Sequence, residues 1–414
     1  MMTRKAFLTL TSALLLALAG LAVGSIPLVL LAAALALFPV ATLAVTRFPE
    51  IGGSRRLAVD RLFEGDTCEV ELTVQNTGAS PAVVEVAEEL SPLLRIEAPE
   101  TVHTLSIPGN AMTMRDYGLV APIRGHYSVP PARYRVTDLF DTYAREGRLA
   151  TQQYVSVFPK RNLLRDMPVR SRYPMGLIGE HGVSQPGQGV EFFGLREYLP
   201  GDPMRAVNWK ASARLTDTLV VNQREKETAA EVTLLLDARA ITERGTVGDN
   251  PLLHCCRAAA TVASLYLGRK DKLRLITYGE GTREVAYDTG ERQLYKVLEA
   301  LAAAKAGGNA PVGQVVDGLL ASLRPKSPVI LVSSLEGDPS SVEAATLLRS
   351  LNVQFVVVSP GMLRPLAVAS ETERAEVLAE REATLQQLRA FGARVIDVEP
   401  DTNLQDALMV VGRA

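Results

Sequence analysis

The sequence predicts a multidomain protein in which a two-helix transmembrane hairpin precedes an all-β domain and a C-terminal α/β domain. The chain has 414 residues, which allows two or three domains beyond the hairpin. Three observations predict this order: an uncharged apolar run, a set of short alternating segments, and a series of apolar segments separated by amphipathic ones. The predicted domains are the hairpin at 1–50, the β domain at 51–160, a segment rich in Gly, Arg and Pro at 161–228, and the α/β domain at 229–414.

An uncharged run near the N-terminus predicts the hairpin. Residues 6–46 contain no Asp, Glu, Lys, Arg or His. One helix crosses a bilayer with ~20 apolar residues, so this run is about two helices long. Gly24 and Pro27 stand at its middle and are typical of a tight turn. We therefore expect the chain to enter the membrane, turn, and leave on the side where it began.

Positive charge flanks both ends of this run and predicts its orientation, because basic residues favour the cytoplasmic side of a membrane. We predict a multi-pass protein of the cell membrane whose soluble domains face the cytoplasm. The alternatives are a cleaved signal peptide, which the second apolar stretch disfavours, and a buried core hairpin, which the length of the run disfavours. The flanking residues are Arg4, Lys5, Arg47, Arg55, Arg56 and Arg61.

The composition argues against nucleic-acid binding. The chain has 44 basic and 46 acidic residues, a net charge of -2, so it has no general electrostatic attraction to nucleic acid. Aromatic residues make up 5% of the chain, too few to predict a platform for stacking bases. The cysteines Cys68, Cys255 and Cys256 form no CxxC motif, which indicates a reducing compartment.

Short alternating segments predict an immunoglobulin-like sandwich between about residues 55 and 159. Residues 68–74 alternate apolar and polar side chains, as a half-buried strand does. Asn76 and Gly78 end that segment with turn chemistry. Many short strands with frequent turns are typical of such a sandwich. His103 and His126 are isolated and predict no metal site. The other predicted strands are at 83–86, 94–96, 127–129, 133–136 and 154–157.

A glycine-containing segment at 176–189 resembles a phosphate loop only superficially. Gly182, Gly187 and Gly189 lie in it, but no apolar strand precedes it and no GK[ST] triplet follows it. The phosphate-binding loop requires both features. We therefore predict no nucleotide site and no cofactor.

A dense run at 191–214 carries the most specific pattern of the chain. The pattern residues are Arg196, Tyr198, Gly201, Asp202, Arg205, Trp209, Lys210, Ser212 and Arg214. Several uncommon residue types recur in one order over a short span, and this order resembles the signature of the bacterial and archaeal "domain of unknown function 58" family. The resemblance implies a membrane-anchored protein that is often associated with a MoxR-type AAA+ ATPase, and it supplies no known reaction.

Two accounts of this run stay open. In the structural account, its arginines pair with Glu191, Glu197 and Asp202, Trp209 packs under them, and the run braces the next domain as a rigid hairpin-like element. In the functional account, the same residues form an exposed recognition surface, because Trp and Arg are enriched at interface hot spots. Neither account supplies a catalytic base for Ser212.

Apolar segments that alternate with helical patterns predict a doubly wound α/β domain after about residue 230. Ligands on such folds bind at the carboxyl ends of strands. Asp237 follows the first predicted strand and Ser334 a central one. The predicted strands are 232–236, 273–278, 284–286, 328–332, 353–358 and 394–397, and the predicted helices are 252–267, 291–305, 312–323, 341–350, 371–391 and 404–411.

The polar residues at these strand ends resemble a von Willebrand factor type A domain. The resemblance implies a divalent-ion site built on an Asp-x-Ser-x-Ser loop, whose oxygen ligands suit a hard cation. In this chain Arg239 and Ile241 stand at the two Ser positions, and Ser334 and Glu336 remain as later candidate ligands beside Asp237. We predict a degenerate site with no tightly bound metal, in which the Arg239 guanidinium pairs with Asp237 where the cation would sit.

These observations predict a non-catalytic, membrane-anchored scaffold or adaptor that binds protein partners. A MoxR-type AAA+ ATPase is the partner that the family resemblance implies. The candidate contact residues are the run at 191–214 and the end of the α/β sheet, where Asp237, Arg239, Ser334 and Glu336 lie.

Two alternative functions remain. The first is a membrane-associated hydrolase, for which His181 or His254 would have to meet Ser212 or one of the adjacent cysteines at 255 and 256. The second is an extracytoplasmic adhesion module, which the opposite membrane orientation would favour.

Overall fold

A computed structural model describes most of the chain. The described residues are 1–97, 102–138, 140–162, 164, 167, 186–214, 218–225, 230–324, 327–361 and 370–398, with the backbone alone at 186–193 and 223–225. They belong to two compact units, Met1–Phe158 and Pro159–Ala414. The first unit holds the apolar helices and the β-rich region, and the second holds the run at 191–214 and the α/β region.

Two apolar helices begin the chain, as predicted. Helix α1 spans Arg4–Val23 and α2 spans Ile26–Val45, and both are long and apolar enough to cross a bilayer. Gly24 between them has a φ of 68°, in the left-handed region that glycine adopts without steric cost, and it ends α1. At Gly20 an added Cβ would lie 2.9 Å from Val29 Cγ2, so the close approach of the helices requires a small residue there.

The middle of the chain is β-rich, as predicted. Its strands are β1 (Ile51–Leu57), β2 (Arg61–Phe63), β3 (Thr67–Asn76), β4 (Ala82–Ala87), β5 (Arg95–Glu97), β6 (Val102–Ile107), β7 (Ala111–Val120), β8 (Gly125–Val129), β9 (Ala132–Thr137), β10 (Ala144–Leu149) and β11 (Gln153–Phe158). They form sheets in the orders β1-β3-β7-β5, β10-β9-β4-β6 and β2-β11-β8. Neighbouring strands are antiparallel except β2 and β11, which are parallel.

One apolar core joins these sheets. The alternation predicted for residues 68–74 is present in β3, where Cys68, Val70, Leu72 and Val74 are buried together with side chains of all the sheets. Strands β1, β2, β6, β7 and β10 lie where the sequence predicts none. The sequence did not predict β7 because its apolar residues do not alternate with burial. Met112, for example, is apolar but 62% exposed.

Arg55, counted above among the flanking charges, is buried inside the β-rich region. The side chains of Arg55 and Glu88 are both fully buried, with Nη1 2.7 Å from Glu88 Oε2. Arg55 Nε donates to Gln153 Oε1 at 3.0 Å, and Nη2 donates to the Val129 carbonyl at 2.8 Å. Tyr117 Oη donates to Glu88 Oε1 at 2.5 Å. In the folded chain Arg55 therefore belongs to the β core and adds no charge to the membrane flank.

The run at 191–214 covers the second half of one strand and leads towards the next one. Strand β12 (Pro186–Glu197) pairs antiparallel with β13 (Val220–Glu225). A 3-10 helix at Met204–Ala206 and the single-turn helix α3 at Trp209–Ser212 lie between these strands. The first part of the predicted glycine segment, 176–185, lies outside the described residues, and its remaining residues belong to β12.

The C-terminal region is α/β, as predicted. Its strands are β14 (Glu231–Asp237), β15 (Lys272–Tyr278), β16 (Thr282–Asp288), β17 (Pro328–Val332), β18 (Gln354–Pro360) and β19 (Arg394–Val398), and its helices are α4 (Pro251–Gly268), α5 (Gly290–Ala303), α6 (Val312–Leu319), α7 (Ser340–Ser350) and α8 (Glu371–Ala390). The sheet order is β16-β15-β14-β17-β18-β19. All neighbours are parallel except β16, the antiparallel edge strand. The predicted helix at 404–411 lies outside the described residues.

The strand order reverses between β14 and β17. After β14 the chain adds β15 and β16 on one side of it, and β17, β18 and β19 follow on the other. The carboxyl ends of β14 and β17 are therefore adjacent, with Leu236 paired to Val332. Open α/β sheets bind ligands at such a switch point. Asp237 and Ser333 directly follow these paired residues.

Removal of the Glu88 carboxylate is expected to destabilise the β-rich region. Glu88→Ala leaves the buried Arg55 without a counterion, which costs about 3–5 kcal/mol. The neighbouring Glu89 is a matched control: it pairs with Arg133 at 2.8 Å, but the Arg133 and Glu89 side chains are 59% and 42% exposed. Glu89→Ala should therefore cost less than about 1 kcal/mol. Amide hydrogen exchange of β3 and β4 in the full chain compares the two variants, and an equal loss of protection would contradict the prediction.

Candidate functional site

The carboxyl ends of β14 and β17 hold a cluster of buried polar side chains. Asp237, Ser333 and Ser334 are at most 1% exposed. Ser333 Oγ donates to Asp237 Oδ2 at 2.6 Å and accepts from the Leu335 N–H at 2.9 Å. A side-chain hydrogen bond therefore joins the two strand ends, with the Asp237 carboxylate as its acceptor.

Arg239 supplies the positive charge that balances Asp237. Its Nε donates to Asp237 Oδ1 at 3.0 Å, and its Nη2 donates to Oδ2 at 2.8 Å. The backbone N–H of Arg239 also donates to Oδ1, at 3.1 Å. Two parallel bonds of this kind are typical of a guanidinium with a carboxylate. The pairing that the sequence suggested is thus present, and it is buried, since Arg239 is 4% exposed.

The same guanidinium holds the loop that follows β17. Nη2 donates to the Glu336 carbonyl at 2.9 Å, and Nη1 donates to the Gly337 carbonyl at 3.1 Å. Nη1 also lies 3.7 Å from Asp338 Oδ2. Leu335 and Gly337 have φ values of 63° and 61°, a left-handed conformation that strains Leu335 and suits glycine. This backbone course is what presents both carbonyl groups to Arg239.

Asp338 connects this loop to the beginnings of two helices. Its Oδ2 accepts from the N–H of Val312, the first residue of α6, at 3.0 Å. Its Oδ1 accepts from the N–H and the hydroxyl of Ser340, the first residue of α7, at 3.2 and 2.5 Å. Carboxylates are stabilised at helix N-termini by unpaired N–H groups and the helix dipole. The loop is therefore fixed both by Arg239 and by α6 and α7.

Burial and neighbouring charges together determine the protonation states around this cluster. Burial lowers the pKa of Arg239, but the hydrogen bonds and charge of Asp237 outweigh it, so that pKa lies above its ordinary value. Burial, and then the charge of Asp237, raise the pKa of Tyr278. Burial also raises the pKa of Glu336, while Arg244, 3.2 Å from its Oε1, opposes that shift. Arg239 is therefore charged and Tyr278 protonated at neutral pH.

The candidate contact residues at this sheet edge are internal. Asp237, Arg239, Ser334 and Glu336 are all at most 6% exposed, so the expectation that they form a contact surface is corrected: their side chains face the protein interior. Ser334 Oγ and Glu336 Oε2 have no hydrogen-bond partner within the described part of the chain. Ser334 thus plays no part in the Asp237–Arg239 pair, which Ser333 contacts instead. Sequence reasoning missed Ser333, the first hydroxyl after β17.

The residues present do not fit the divalent ion that the type A resemblance implies. The oxygens around Arg239, namely the Asp237 carboxylate and the two loop carbonyls, suit a hard cation in their chemistry. The guanidinium already occupies the space among them and accounts for their hydrogen bonds. Within the described ranges, no group of three or more His, Cys, Asp and Glu residues is placed to hold a metal ion.

Part of the run at 191–214 is paired internally, in agreement with its structural account. Arg196 Nη1 and Nη2 donate to Asp202 Oδ2 and Oδ1 at 2.6 and 2.5 Å. The Leu199 N–H donates to Asp202 Oδ2 at 2.9 Å. These bonds, chiefly those from Arg196, lower the pKa of Asp202. Gly201 has a φ of 109°, which favours glycine, and Tyr198 beside this turn is half-buried.

Ser212 is also structural. It is 8% exposed, and its Oγ accepts from the Val220 N–H at 2.9 Å. Asn208, which the sequence reasoning missed, accepts from the Ala211 N–H at 3.0 Å and donates to Asn222 Oδ1 at 2.9 Å. Asn directly before a helical turn is a cap signal that the sequence does contain. These bonds join α3 to β13.

Several other side chains of the run are exposed. Trp209 is 59% exposed, so it does not pack under the arginines as the structural account expects. Leu199 and Met204 are 59% and 54% exposed. Basic side chains beside them are exposed as well. We refer to the exposed set as the Trp209 surface, and it consists of Leu199, Met204, Arg205, Trp209, Lys210 and Arg214.

Among the described residues named for a hydrolase, His254 and Ser212 have other partners. His254 Nε2 lies 2.5 Å from Asp249 Oδ1, and Ser212 is engaged with the backbone of β13. The adjacent cysteines of α4 are both buried. His181 lies outside the described residues.

Loss of the Arg239 guanidinium is expected to destabilise the α/β region. Arg239→Ala leaves the buried Asp237 charge and two carbonyls without their donor, at a cost of about 3–5 kcal/mol. The matched control is Arg389 on α8, whose side chain is 47% exposed and lies 3.7 Å from the Glu382 carboxylate, which is 53% exposed. Arg389→Ala should cost about 1 kcal/mol or less. Pulse proteolysis of the full chain in urea measures both, and a midpoint for Arg239→Ala no lower than that of Arg389→Ala would refute the assignment.

The wild-type chain is expected to show no tight binding of Mg²⁺ or Mn²⁺, because the guanidinium fills the oxygen-lined position. Replacement of Arg239 and Ile241 by Ser restores the Asp-x-Ser-x-Ser loop and should create measurable Mn²⁺ affinity. Isothermal titration calorimetry compares the two proteins. Micromolar binding by the wild type that is lost in Asp237→Ala would contradict the prediction.

Comparisons with known proteins show a family match without an established activity. The family model described as "Protein of unknown function DUF58" matches residues 194–361, which confirms the resemblance for that range. The chain is 27% identical over 183 residues to "Uncharacterized protein Rv1480" of Mycobacterium tuberculosis and to "Uncharacterized protein Mb1516" of Mycobacterium bovis. These matches cover 42% of this chain and 55% of each relative, so the chain spans about half the length of the curated relatives it matches.

Similar solved structures match the chain with low scores. Native alpha-2-macroglobulin from Escherichia coli, from domain MG7 to the C-terminus, is 16% identical with a TM-score of 0.24, over 28% of this chain and 17% of that one. A CARDB domain from Pyrococcus furiosus is 17% identical with a TM-score of 0.20, over 27% of this chain and 90% of that one. Likenesses at this level support no conclusion about fold or function. What the comparisons establish is the match of residues 194–361 to the DUF58 family model.

Proposed function

We propose that this chain is a membrane-anchored, non-catalytic scaffold that binds protein partners, among them a MoxR-type AAA+ ATPase. The observation that carries the proposal is the Trp209 surface, which lies within the range matched by the family model. The identity of the partner as a MoxR-type ATPase is taken from the family resemblance.

The Trp209 surface combines exposed apolar side chains with a rigid base. Exposed apolar groups with polar residues around them mark interaction sites, and Trp and Arg are the residue types that contribute most to binding energy. The Arg196–Asp202 pair and the Ser212 bond to β13 hold the turn beneath this surface. A surface that is already ordered loses less conformational entropy when it binds.

The charge of this surface indicates the chemistry of the partner. Arg205, Lys210 and Arg214 are exposed, as is one carboxylate of the run, Glu197, whereas Asp202 is already paired with Arg196. The surface therefore combines a net positive charge with exposed apolar side chains. Complementary charge governs the rate and specificity of association, so we propose that the partner presents an acidic rim around an apolar pocket.

The buried polar cluster at the carboxyl ends of β14 and β17 supports a non-catalytic role. At the switch point, where an α/β domain would accept a ligand, Asp237 and Arg239 are buried and bonded to each other, to Ser333 and to two loop carbonyls. The chemistry of this edge is therefore internal bracing. The proposal therefore assigns partner binding to another surface, and the composition of the Trp209 surface suits that role.

The domain assignments are part of the same proposal. The order β16-β15-β14-β17-β18-β19 with an antiparallel edge strand supports a type A-like domain. Sheets that share one core support an immunoglobulin-like sandwich for the β-rich region. Two apolar helices with Arg4, Lys5 and Arg47 at their open ends support a membrane anchor with the soluble domains in the cytoplasm.

Affinity capture tests the partner proposal. The full chain is captured from detergent extracts of its own membranes, and co-purified AAA+ ATPase is measured for the wild type, Trp209→Ala and Arg214→Ala. Removal of a central Trp should weaken binding at least about tenfold, the scale of an interface hot spot. Arg214→Ala should weaken it less.

The matched control is Tyr295→Ala, which removes an aromatic side chain that is 52% exposed on α5. It should capture as much ATPase as the wild type. Equal capture by the wild type and both surface variants would assign the Trp209 surface to bracing alone. A wild-type chain that captures no AAA+ ATPase would refute that partner.

A further inference from the structure

The turn between β9 and β10 is joined to the first residues of the chain. The Thr3 N–H donates to the Thr142 carbonyl at 2.9 Å, and the Ala144 N–H donates to the Met1 carbonyl at 2.8 Å. Met2 and Tyr143 form an antiparallel bridge. The residues that lead into α1 therefore extend the edge of β10, and α1 leaves the β-rich region without a flexible linker.

The same turn also packs along α2. Tyr143 Oη donates to the Pro39 carbonyl at 3.1 Å. The hydroxyl oxygens of Thr142 and Thr42 are 3.0 Å apart, and both residues are buried. The contact on α2 is therefore made by specific hydrogen bonds to residues inside the helix.

An aromatic contact extends this packing further along the helix. The rings of Phe140 and Phe38 meet edge to face, with centroids 5.5 Å apart. Phe38 lies seven residues before Val45, the last residue of α2, or about 10 Å along its axis at 1.5 Å per residue. The turn thus reaches well below the end of an apolar helix.

The depth of this contact decides where the lipid begins. The hydrocarbon core is ~30 Å thick, about the length of a 20-residue helix, and each head-group layer adds about 5–8 Å. If all of α2 (20 residues) stood in hydrocarbon, the turn and its carboxylates, Asp138 and Asp141, would stand there too, which is strongly unfavourable. The turn instead fits the head-group layer, with the hydrocarbon beginning near Phe38. The part of α2 from Ile26 to Phe38 then covers about 20 Å of hydrocarbon at 1.5 Å per residue, and local thinning of the bilayer accommodates the shortfall of about 10 Å.

The carboxylates of the turn have hydrogen-bond or ion-pair partners within the protein, which suits a position in the head-group layer. Asp138 Oδ1 accepts from the N–H groups of Thr142 and Tyr143 at 2.6 and 2.7 Å, and Oδ2 accepts from the Thr142 hydroxyl at 2.6 Å. Asp141 pairs with Lys5 at 3.0 Å. Phe140, in contrast, is 54% exposed. Phe is among the side chains that interfacial segments bury at the boundary between head groups and acyl chains.

We propose that the β9–β10 turn, through Asp138 and residues 140–143, is a second membrane contact that inserts Phe140 into the lipid head-group layer beside α2. This inference rests on the membrane anchoring proposed above. It makes the β-rich region a body seated on the bilayer surface, held both by the two helices and by its own turn. The ligand is a lipid surface, recognised by an aromatic tip between internally paired carboxylates.

Depth-dependent fluorescence quenching tests the contact. The full chain is reconstituted in phosphatidylcholine vesicles that carry bromine at a shallow or a deep acyl position. Trp209→Phe removes the single tryptophan, and Phe140→Trp then reports on the turn. We expect quenching of this reporter, stronger with the shallow than with the deep bromine.

Two control reporters in the same background bracket the result. Leu31→Trp on α2 replaces a side chain that is 52% exposed and should be quenched more strongly by the deep bromine. Tyr154→Trp on β11 replaces one that is 68% exposed and should not be quenched. If Phe140→Trp does not fold, Phe38→Trp reports the same depth from α2 and must show the shallow pattern.

The outcomes separate this inference from the anchor on which it rests. An unquenched Phe140→Trp beside a quenched Leu31→Trp overturns the turn contact and leaves the anchor intact. A Phe38→Trp reporter quenched more by the deep bromine overturns it as well. If none of the reporters is quenched, the membrane anchor itself is refuted, and the turn contact with it.

Discussion

The pairing of Asp237 with Arg239 is the interaction on which the α/β region depends. A carboxylate that is 0% exposed at the end of β14 must be balanced, because an unpaired buried charge is severely destabilising. Arg239 balances it from two residues away and, through the Glu336 and Gly337 carbonyls, also holds the loop after β17. At the position where such a sheet ordinarily accepts a ligand, Arg239 therefore joins the end of β14 to the loop after β17.

Because the carboxyl end of the α/β sheet is closed by the Asp237–Arg239 pair, the proposed binding function is assigned to the Trp209 surface, between β12 and β13. There the family pattern divides into two groups with different roles. Arg196, Asp202 and Ser212 are consumed by bonds within the segment, whereas Trp209 and its basic neighbours are exposed. The structural account therefore holds for Arg196, Asp202 and Ser212, and we propose the functional account for the exposed residues. A rigid base under an exposed aromatic is the arrangement that a recognition surface requires.

In the first unit, too, a charged pair is buried in the core while another segment, the β9–β10 turn, makes the contact with the apolar helices. Arg55, which would be an orienting charge in an unfolded flank, is enclosed with Glu88 in the β core. The β9–β10 turn binds the base of both apolar helices instead. Because these contacts are direct, movement of the helices would be transmitted to the β-rich region. A scaffold held in this way would have a defined orientation at the membrane surface.

The features that the residue order alone determined are local ones. The two apolar helices, the alternation in β3, the strands and helices of the α/β region and the Asp237–Arg239 pair all arise from residues close together in the chain, whose periodicity or spacing is visible in the sequence. Folding decided the rest by bringing distant residues together. The burial of Arg55 against Glu88, the loop carbonyls on Arg239, the exposure of Trp209 and the contact of Tyr143 with Pro39 depend on segments far apart in sequence. No local pattern encodes such contacts, because the packing of the whole fold determines which side chains meet and which face solvent.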